Sequence, residues 1–134
     1  MIENESLFIA DSLWSATANS KITCNALIGD KETEIAIIGA GYTGLSAALH
    51  LSEKNKNIVV LDSENPGWGA SGRNGGQVNP GLKEDPNEIE AKFGAEVGRR
   101  IVDMSGTAPD LVFSLIKKYN IDCDAIRSGW IRAA

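Results

Sequence analysis

The stretch Ile35-Ala36-Ile37-Ile38-Gly39-Ala40-Gly41-Tyr42-Thr43-Gly44 sets four apolar residues directly against a Gly-x-Gly-x-x-Gly pattern. An uninterrupted apolar run between Glu34 and Gly39 suits a parallel strand buried on both faces. The glycines suit, in order, a tight turn, close approach of a pyrophosphate to the backbone, and close packing of a helix on the strand. A helix is expected from about Thr43 to Lys54, with Leu45, Ala48, Leu49 and Ser52 on its inward stripe. The next apolar run, Ile58-Val59-Val60-Leu61, is β-branched and stops at Asp62, so it reads as the second strand of a βαβ unit. The N-terminus of the intervening helix would offer unpaired N–H groups and a partial charge of roughly +0.5 to phosphates.

The hexapeptide alone is a weak signal. Its context is stronger: a strand before it, a helix after it, and an acid, Asp62, 23 positions past Gly39 at the end of the next strand. Asp62 is placed to accept hydrogen bonds from the hydroxyls of an adenosine ribose, and its charge would repel a 2′-phosphate, which disfavours NADP. Glu64 takes that role if the strand runs longer. A self-sufficient NAD-binding module and a glycine-rich turn without a ligand are the alternatives at this point.

At 134 residues, 43% hydrophobic and 23% charged, the composition is that of an ordinary globular domain. A chain of this size buries about 68% of its unfolded surface, enough for one core and too little for an elaborate two-domain enzyme. Thirteen basic and eighteen acidic residues give a net charge of −5, which argues against a nucleic-acid partner. Cys24 and Cys123 stand far apart with no second Cys or His near either, so neither a CxxC pair nor a metal site assembles, and buried free thiols in a reducing compartment are expected. The opening Met1-Ile2-Glu3-Asn4-Glu5 lacks the features of a secretory signal, which makes a cytoplasmic location the expectation. Ile35 to Ser52 is an uncharged run of 18 residues, long enough to be a membrane candidate, but its three glycines and scattered polar groups favour strand, turn and helix.

Residues 1–33 lack a sustained period and read as an N-terminal arm laid over a domain formed by residues 34–134, with Leu13, Trp14, Ile22, Leu27 and Ile28 as its anchors. Gly67 to Gly81 holds six glycines in fifteen residues, the mark of a loop in unusual backbone conformations. Asp85-Pro86-Asn87-Glu88 is a helix start, followed by Ile89, Phe93, Val97, Ile101 and Met104 at helical spacing. Leu111, Val112, Leu115, Ile116 and Tyr119 continue the pattern after Pro109, which either kinks one long helix or starts a second. Cys123 to Ala134 has the look of a strand pair, with Asp122 and Asp124 facing water at its start. His50, the single histidine, sits in the first helix without triad partners and reads as a surface or packing residue. Trp14 and Trp130 read as packing anchors, while Trp68, beside the glycine-rich loop, is left open.

Four segments together resemble a known family. They are Ser12-Leu13-Trp14-Ser15-Ala16-Thr17-Ala18, Leu27-Ile28-Gly29-Asp30, the fingerprint extended through Leu51, and Gly67-Trp68-Gly69-Ala70-Ser71-Gly72-Arg73-Asn74-Gly75-Gly76-Gln77. The chain is similar over nearly its whole length to the N-terminus of FAD-dependent amine oxidoreductases of the D-amino-acid oxidase superfamily, nearest to the gamma-glutamylputrescine oxidase branch. The resemblance implies an α/β fold: a Rossmann-like βαβ FAD-binding unit of the glutathione-reductase type, incomplete at this length, with a long helical segment following. It implies that Gly39, Gly41, Tyr42, Thr43 and Gly44 hold the FAD pyrophosphate and that Asp62, where relatives mostly carry glutamate, takes the ribose. Ser71, Gly72, Arg73, Asn74, Gly75 and Gly76 would lie along the pyrophosphate, ribityl chain and flavin ring. The activity implied is hydride transfer from the carbon beside an amine nitrogen to the flavin, with an amine as substrate. The relatives' greater length implies a chain that is the N-terminal part of an enzyme, inactive by itself, with a truncated non-catalytic remnant as the alternative. Ile35–Ile38 and Ile58–Leu61, apolar on both faces, suit a sheet covered on both sides, so the chain is expected to be ordered by self-association, by its N-terminal arm and long helix folding back as a cover, or by a complementary chain. No membrane, nucleic acid or metal partner is expected, and no catalytic residue can be named.

Overall fold

A computed structural model describes residues 12–19 and 22–131, so the reading of Met1 to Glu5 and the last three residues of the expected strand pair lie outside it. The chain divides into two compact units, Met1–Gly75 and Gly76–Ala134.

In the first unit, strands β1 (Ile35–Ile38) and β2 (Ile58–Leu61) flank helix α2 (Tyr42–Ser52), preceded by the short helix α1 (Leu13–Thr17). β1 and β2 pair in parallel, Ile35 opposite Ile58 through Ile38 opposite Leu61, which makes the segment a βαβ unit on a small parallel sheet. Parallel strands need a crossover between them, and the helix encoded by residues 42–52 supplies it. Both ends of the ladder are tied. Gly39 N–H donates to the Leu61 carbonyl at 2.7 Å, and Ile35 N–H donates to the Asn57 carbonyl at 3.2 Å. Beside the second bond, Glu34 accepts from the Asn57 N–H at 2.8 Å and from Lys56 Nζ at 3.1 Å, bonds that hold its carboxyl below the usual glutamate value.

Burial falls short of the sequence expectation. β1 alternates half-buried and exposed residues, and Ile38 is 79% exposed. A strand is buried on both faces only when layers cover both sides of its sheet, and two strands with one crossing helix supply less than that. On α2 the predicted stripe holds for Ala48 and Leu49, but Leu45 and Ser52 are exposed. The arm corrects the reading in two ways. It contains a helix too short for periodicity to detect, closed by a capping box between Ser12 and Ser15. Of its expected anchors, Leu13, Ile22, Leu27 and Ile28 are exposed, and Trp14 is tethered through its indole N–H instead. Cys24 and Cys123 are free as expected but exposed, not buried.

The second unit opens as the sequence dictates. Asp85 caps helix α3 (Pro86–Phe93) with Pro86 at its first position, and the Glu88 carboxylate accepts the Asp85 N–H at 3.1 Å. The helical spacing from Ile89 to Met104 suggested continuity, yet Gly94 breaks it with φ +82°, ψ +157°, a conformation that only glycine adopts without strain. Helix α4 (Ala95–Tyr119) then folds against α3, and Ile89, 4% exposed, is buried in that pairing. Gly98 makes the pairing possible, since a Cβ there would lie 2.5 Å from the Glu90 Cα.

Pro109 neither ends nor restarts α4, which runs through it to a left-handed Asn120 cap. Proline removes the N–H that would have bonded the carbonyl of residue 105. That carbonyl is taken by the Gly81 N–H at 3.0 Å, so the helix loses a donor without burying an unsatisfied acceptor. Beyond α4 the expected strand pair does not form among the described residues: 122–131 contain no strand, and Asp124 takes φ +50°. Asp122 and Asp124 face water as expected. No helix of the described residues is long and apolar enough to cross a membrane, and the run 35–52 resolves into β1, a turn and α2.

One substitution should act with opposite sign at two positions of α4. Gly98→Ala puts a methyl into the Glu90 backbone and should destabilise by about 1–3 kcal/mol. Gly106→Ala meets nothing within 4 Å and should stabilise by about 0.5–1 kcal/mol through helix propensity. Urea unfolding of both variants beside the parent checks the pair; equal shifts would mean that the helices do not pack through Gly98.

Candidate functional site

Everything that the motifs single out in residues 39–75 gathers around one turn. Gly39, at φ +102°, reverses the chain as it leaves β1, a conformation closed to other residues. Gly41 caps α2 in an extended conformation without a side-chain bond. Gly44 faces back onto the strand: a Cβ there would sit 1.9 Å from the Gly39 carbonyl oxygen and 3.3 Å from Ile37 Cγ2. The fingerprint therefore places the start of α2 hard against the end of β1, with the first-turn N–H groups directed out of the turn.

Asp62 holds this arrangement. One carboxylate oxygen accepts the Ala40 N–H at 2.6 Å, and the other accepts the Glu64 N–H at 3.0 Å. These bonds, the Ala40 one foremost, draw its carboxyl below the usual aspartate value. A carboxylate has about four acceptor sites, so further hydrogen-bond donors can still reach it. Sequence reasoning placed Asp62 at the strand end, as observed, and missed its bond to the turn. Glu64 contributes its backbone N–H there.

The second glycine-rich segment is docked on the first. Gly67 N–H donates to the Ala40 carbonyl at 3.0 Å. The chain then enters a 3-10 turn, Ala70–Gly72, kept tight because a Cβ on Gly72 would lie 2.1 Å from the Gly67 carbonyl oxygen. Ser71 Oγ accepts the Tyr42 N–H at 3.0 Å, so the turn caps the first residue of α2. Asn74 Nδ2 donates to the Ser71 carbonyl at 2.6 Å and to the Tyr42 hydroxyl at 3.0 Å. The Asn74 carbonyl accepts from Trp14 Nε1 at 2.7 Å, which pins the N-terminal arm to the same loop. Arg73 Nε donates to the Trp68 carbonyl at 2.9 Å, and its guanidinium lies 4.7 Å from the Trp68 ring centre.

Gly39, Gly41, Tyr42, Gly44, Asp62, Ser71, Gly72, Arg73 and Asn74 are thus linked by hydrogen bonds or close contact, and Thr43 lies exposed in the first turn of α2. Gly75 is exposed and open, while Gly76, at φ +68°, begins the second unit. Trp14 and Trp68 are the residues that sequence reasoning underrated; for Trp68 its place between Gly67 and Gly69 was the available signal, whereas the bond of Trp14 to Asn74 spans sixty residues and left none. His50 behaves as expected, lying on α2 with Glu53 4.0 Å away. Among the described residues no cluster of His, Cys, Asp or Glu could hold a metal ion. An open groove of about 720 Å³, lined by Leu82, Ile89, Phe93 and Ile101 among others, belongs to the second unit alone.

The arrangement fits a dinucleotide pyrophosphate. A Cβ on Gly41 would come within 2.9 Å of Ser71 Oγ, so glycine there lets the second loop come up against the α2 N-terminus. Nearby backbone N–H groups, the helix dipole and Arg73 supply positive potential for an anion.

The depressed Asp62 value sets a pH dependence. The unfolded carboxyl, near 3.9, binds a proton before the folded one does, so the stabilisation is fully present at neutral pH. It should begin to fail as pH drops through about 4 and be lost below the folded value. Carboxyl NMR titration of Asp62 measures that value directly, and Asp62→Asn should flatten the acid limb of the unfolding curve.

Residues 34–134 match the DAO family, described as FAD dependent oxidoreductase. The chain is 38% identical over 113 residues to gamma-glutamylputrescine oxidoreductase of Escherichia coli, covering 84% of this chain and 26% of that protein. It is 40% identical over 94 residues to the "Probable oxidoreductase OrdL" of Haemophilus influenzae, covering 70% and 22%. The protein of that name in Rhizobium meliloti is 34% identical over 113 residues, covering 84% and 26%. The chain thus spans about a quarter of the length of the curated relatives it matches, and no solved structure matches it. With the glycine turn, its carboxylate tie and the docked second loop in place, and a family match over 101 of its 134 residues, the chain belongs to the DAO family of FAD-dependent oxidoreductases.

Proposed function

We propose that this chain is the Rossmann-like, FAD-binding N-terminal part of an amine oxidoreductase that acts on a gamma-glutamylputrescine-like amine. The observation that carries the reading is the docking of the second loop on the α2 N-terminus, through Ser71 Oγ to the Tyr42 N–H. A nicotinamide-binding module has no use for that second loop. The flavin of bound FAD supplies the acceptor for a hydride from the carbon beside the amine nitrogen.

The residues of this chain divide the binding among themselves. Gly39, Gly41 and Gly44 let the backbone approach the pyrophosphate, with the N–H groups of Thr43 and Gly44 at the first turn of α2 facing its charge. Asp62 takes the ribose hydroxyls with the acceptor capacity left after its two backbone bonds. Gly72, Asn74, Gly75 and Gly76 offer small side chains and backbone groups along the cofactor toward the flavin. Substrate orientation and exclusion of water belong to the three quarters of the relatives' length that this chain does not span.

Gly41→Val should abolish FAD binding, because a side chain at the second glycine takes the room that the pyrophosphate needs and collides with Ser71 Oγ, which holds the second loop on α2. Equal flavin content in the purified variant and parent would sink the assignment. Asp62→Ala should weaken FAD binding by about 1–3 kcal/mol, with Glu64→Ala close to neutral. The 134-residue chain alone, loaded with FAD, should form no peroxide from gamma-glutamylputrescine above a free-flavin control. Turnover above that control would place the whole reaction within these residues.

A further inference from the structure

Resting on the FAD reading, we infer that Trp68 is a positioning residue: it holds Arg73 as a fixed, un-neutralised cation for the dinucleotide diphosphate. An arginine side chain has many rotamers, and a binding loop that leaves it free must order it each time a ligand arrives. Here the ordering is already done by one residue. The Trp68 carbonyl accepts from Arg73 Nε at 2.9 Å, and the Trp68 ring lies under the guanidinium at 4.7 Å. The Arg73 N–H, bonded to the Ala70 carbonyl at 3.1 Å, fixes the base of the side chain.

The chemistry of the holder matters. A carboxylate would fix Arg73 equally well but cancel its charge, and among the described residues none pairs with it. An indole face attracts a guanidinium through its quadrupole and leaves the net charge in place. The planar, weakly hydrated guanidinium is suited to that stacking and still presents its terminal N–H groups for bidentate contact with phosphate oxygens. The indole N–H supports the same reading. Trp68 Nε1 is buried without a hydrogen-bond partner, so the ring is not oriented by its polar atom. What its orientation achieves is the stack on Arg73. Ser71 brings this loop to the α2 N-terminus, so the held cation is two residues from the point where the loop meets the helix.

The test measures FAD affinity of the whole chain by flavin fluorescence, for the parent, Trp68→Phe, Trp68→Leu, Arg73→Met and the Trp68→Leu/Arg73→Met double variant. Arg73→Met should weaken binding about tenfold or more, and Trp68→Leu about fivefold. The double variant should match Arg73→Met alone, because Trp68 acts through the arginine. Trp68→Phe keeps a ring face, removes the orphan donor, and should stay within about threefold of the parent. Additive losses in the double variant, a Trp68→Leu variant that binds like the parent, or a Trp68→Phe variant as weak as Trp68→Leu would each overturn the inference. A second measurement needs no cofactor: the Arg73 Nε–Hε resonance should be ring-current shifted in the parent and Trp68→Phe, and unshifted in Trp68→Leu. An unshifted resonance in a parent that binds FAD sinks the clamp, whereas a shifted resonance in a parent that binds none sinks the FAD reading and with it the role assigned to the clamp.

Discussion

The Ala40 N–H and the Asp62 carboxylate meet at 2.6 Å, and the first unit is organised around that bond. The turn between β1 and α2 must reverse the chain within a few residues, which leaves backbone donors pointing away from any regular partner. A carboxylate at the end of the neighbouring strand reaches one of them only if the strands pair in parallel and in the observed register, Ile38 beside Leu61. A slip of one residue would turn the Asp62 side chain to the opposite face of the sheet. The strand register, the position of the helix start and the charge of Asp62 are therefore coupled. Glu34 performs a similar service at the other end of the ladder, where it ties the Asn57 N–H and Lys56 to the entrance of β1.

The two glycine-rich segments form one structure. Gly67 bonds to Ala40, Ser71 caps the helix that follows Gly41, and Asn74 reaches both Tyr42 and Trp14. The α2 N-terminus, which the fingerprint alone would leave open to water, gains a wall made of small residues and one arginine. Trp14 adds a tether from a part of the chain with no strand or long helix of its own.

What could be read beforehand followed from how local the determining physics is. Ile35–Ile38 and Ile58–Leu61 announced themselves as strands because an apolar run closed by glycine or aspartate has few other uses, and Asp85-Pro86-Asn87-Glu88 announced α3 because capping is settled within four residues. The Gly94 break was hidden because a single residue at positive φ leaves the apolar spacing on either side intact. Pro109 could not be resolved from sequence, since its fate depends on whether a distant donor, Gly81 N–H, relieves the Ser105 carbonyl. The expected strands after Cys123 are absent among the described residues: strand pairing depends on partners that a local pattern does not supply. At the site, the glycines of the turn and the place of Asp62 at the strand end were legible from their spacing. The bonds of Asp62 to the turn and of Trp68 to Arg73 were not, since each joins residues through a particular fold of the loop.

The two exposed cysteines fall one in each compact unit, Cys24 in the first and Cys123 in the second. Neither is tied up in a disulfide, so each thiol is open to an alkylating reagent. Nature has thus provided a matched pair of attachment points for spin labels or fluorophores, with no cysteine to remove first. Pulsed dipolar spectroscopy on the doubly labelled native sequence would give a distribution of distances from one unit to the other, and its width would report how freely they move.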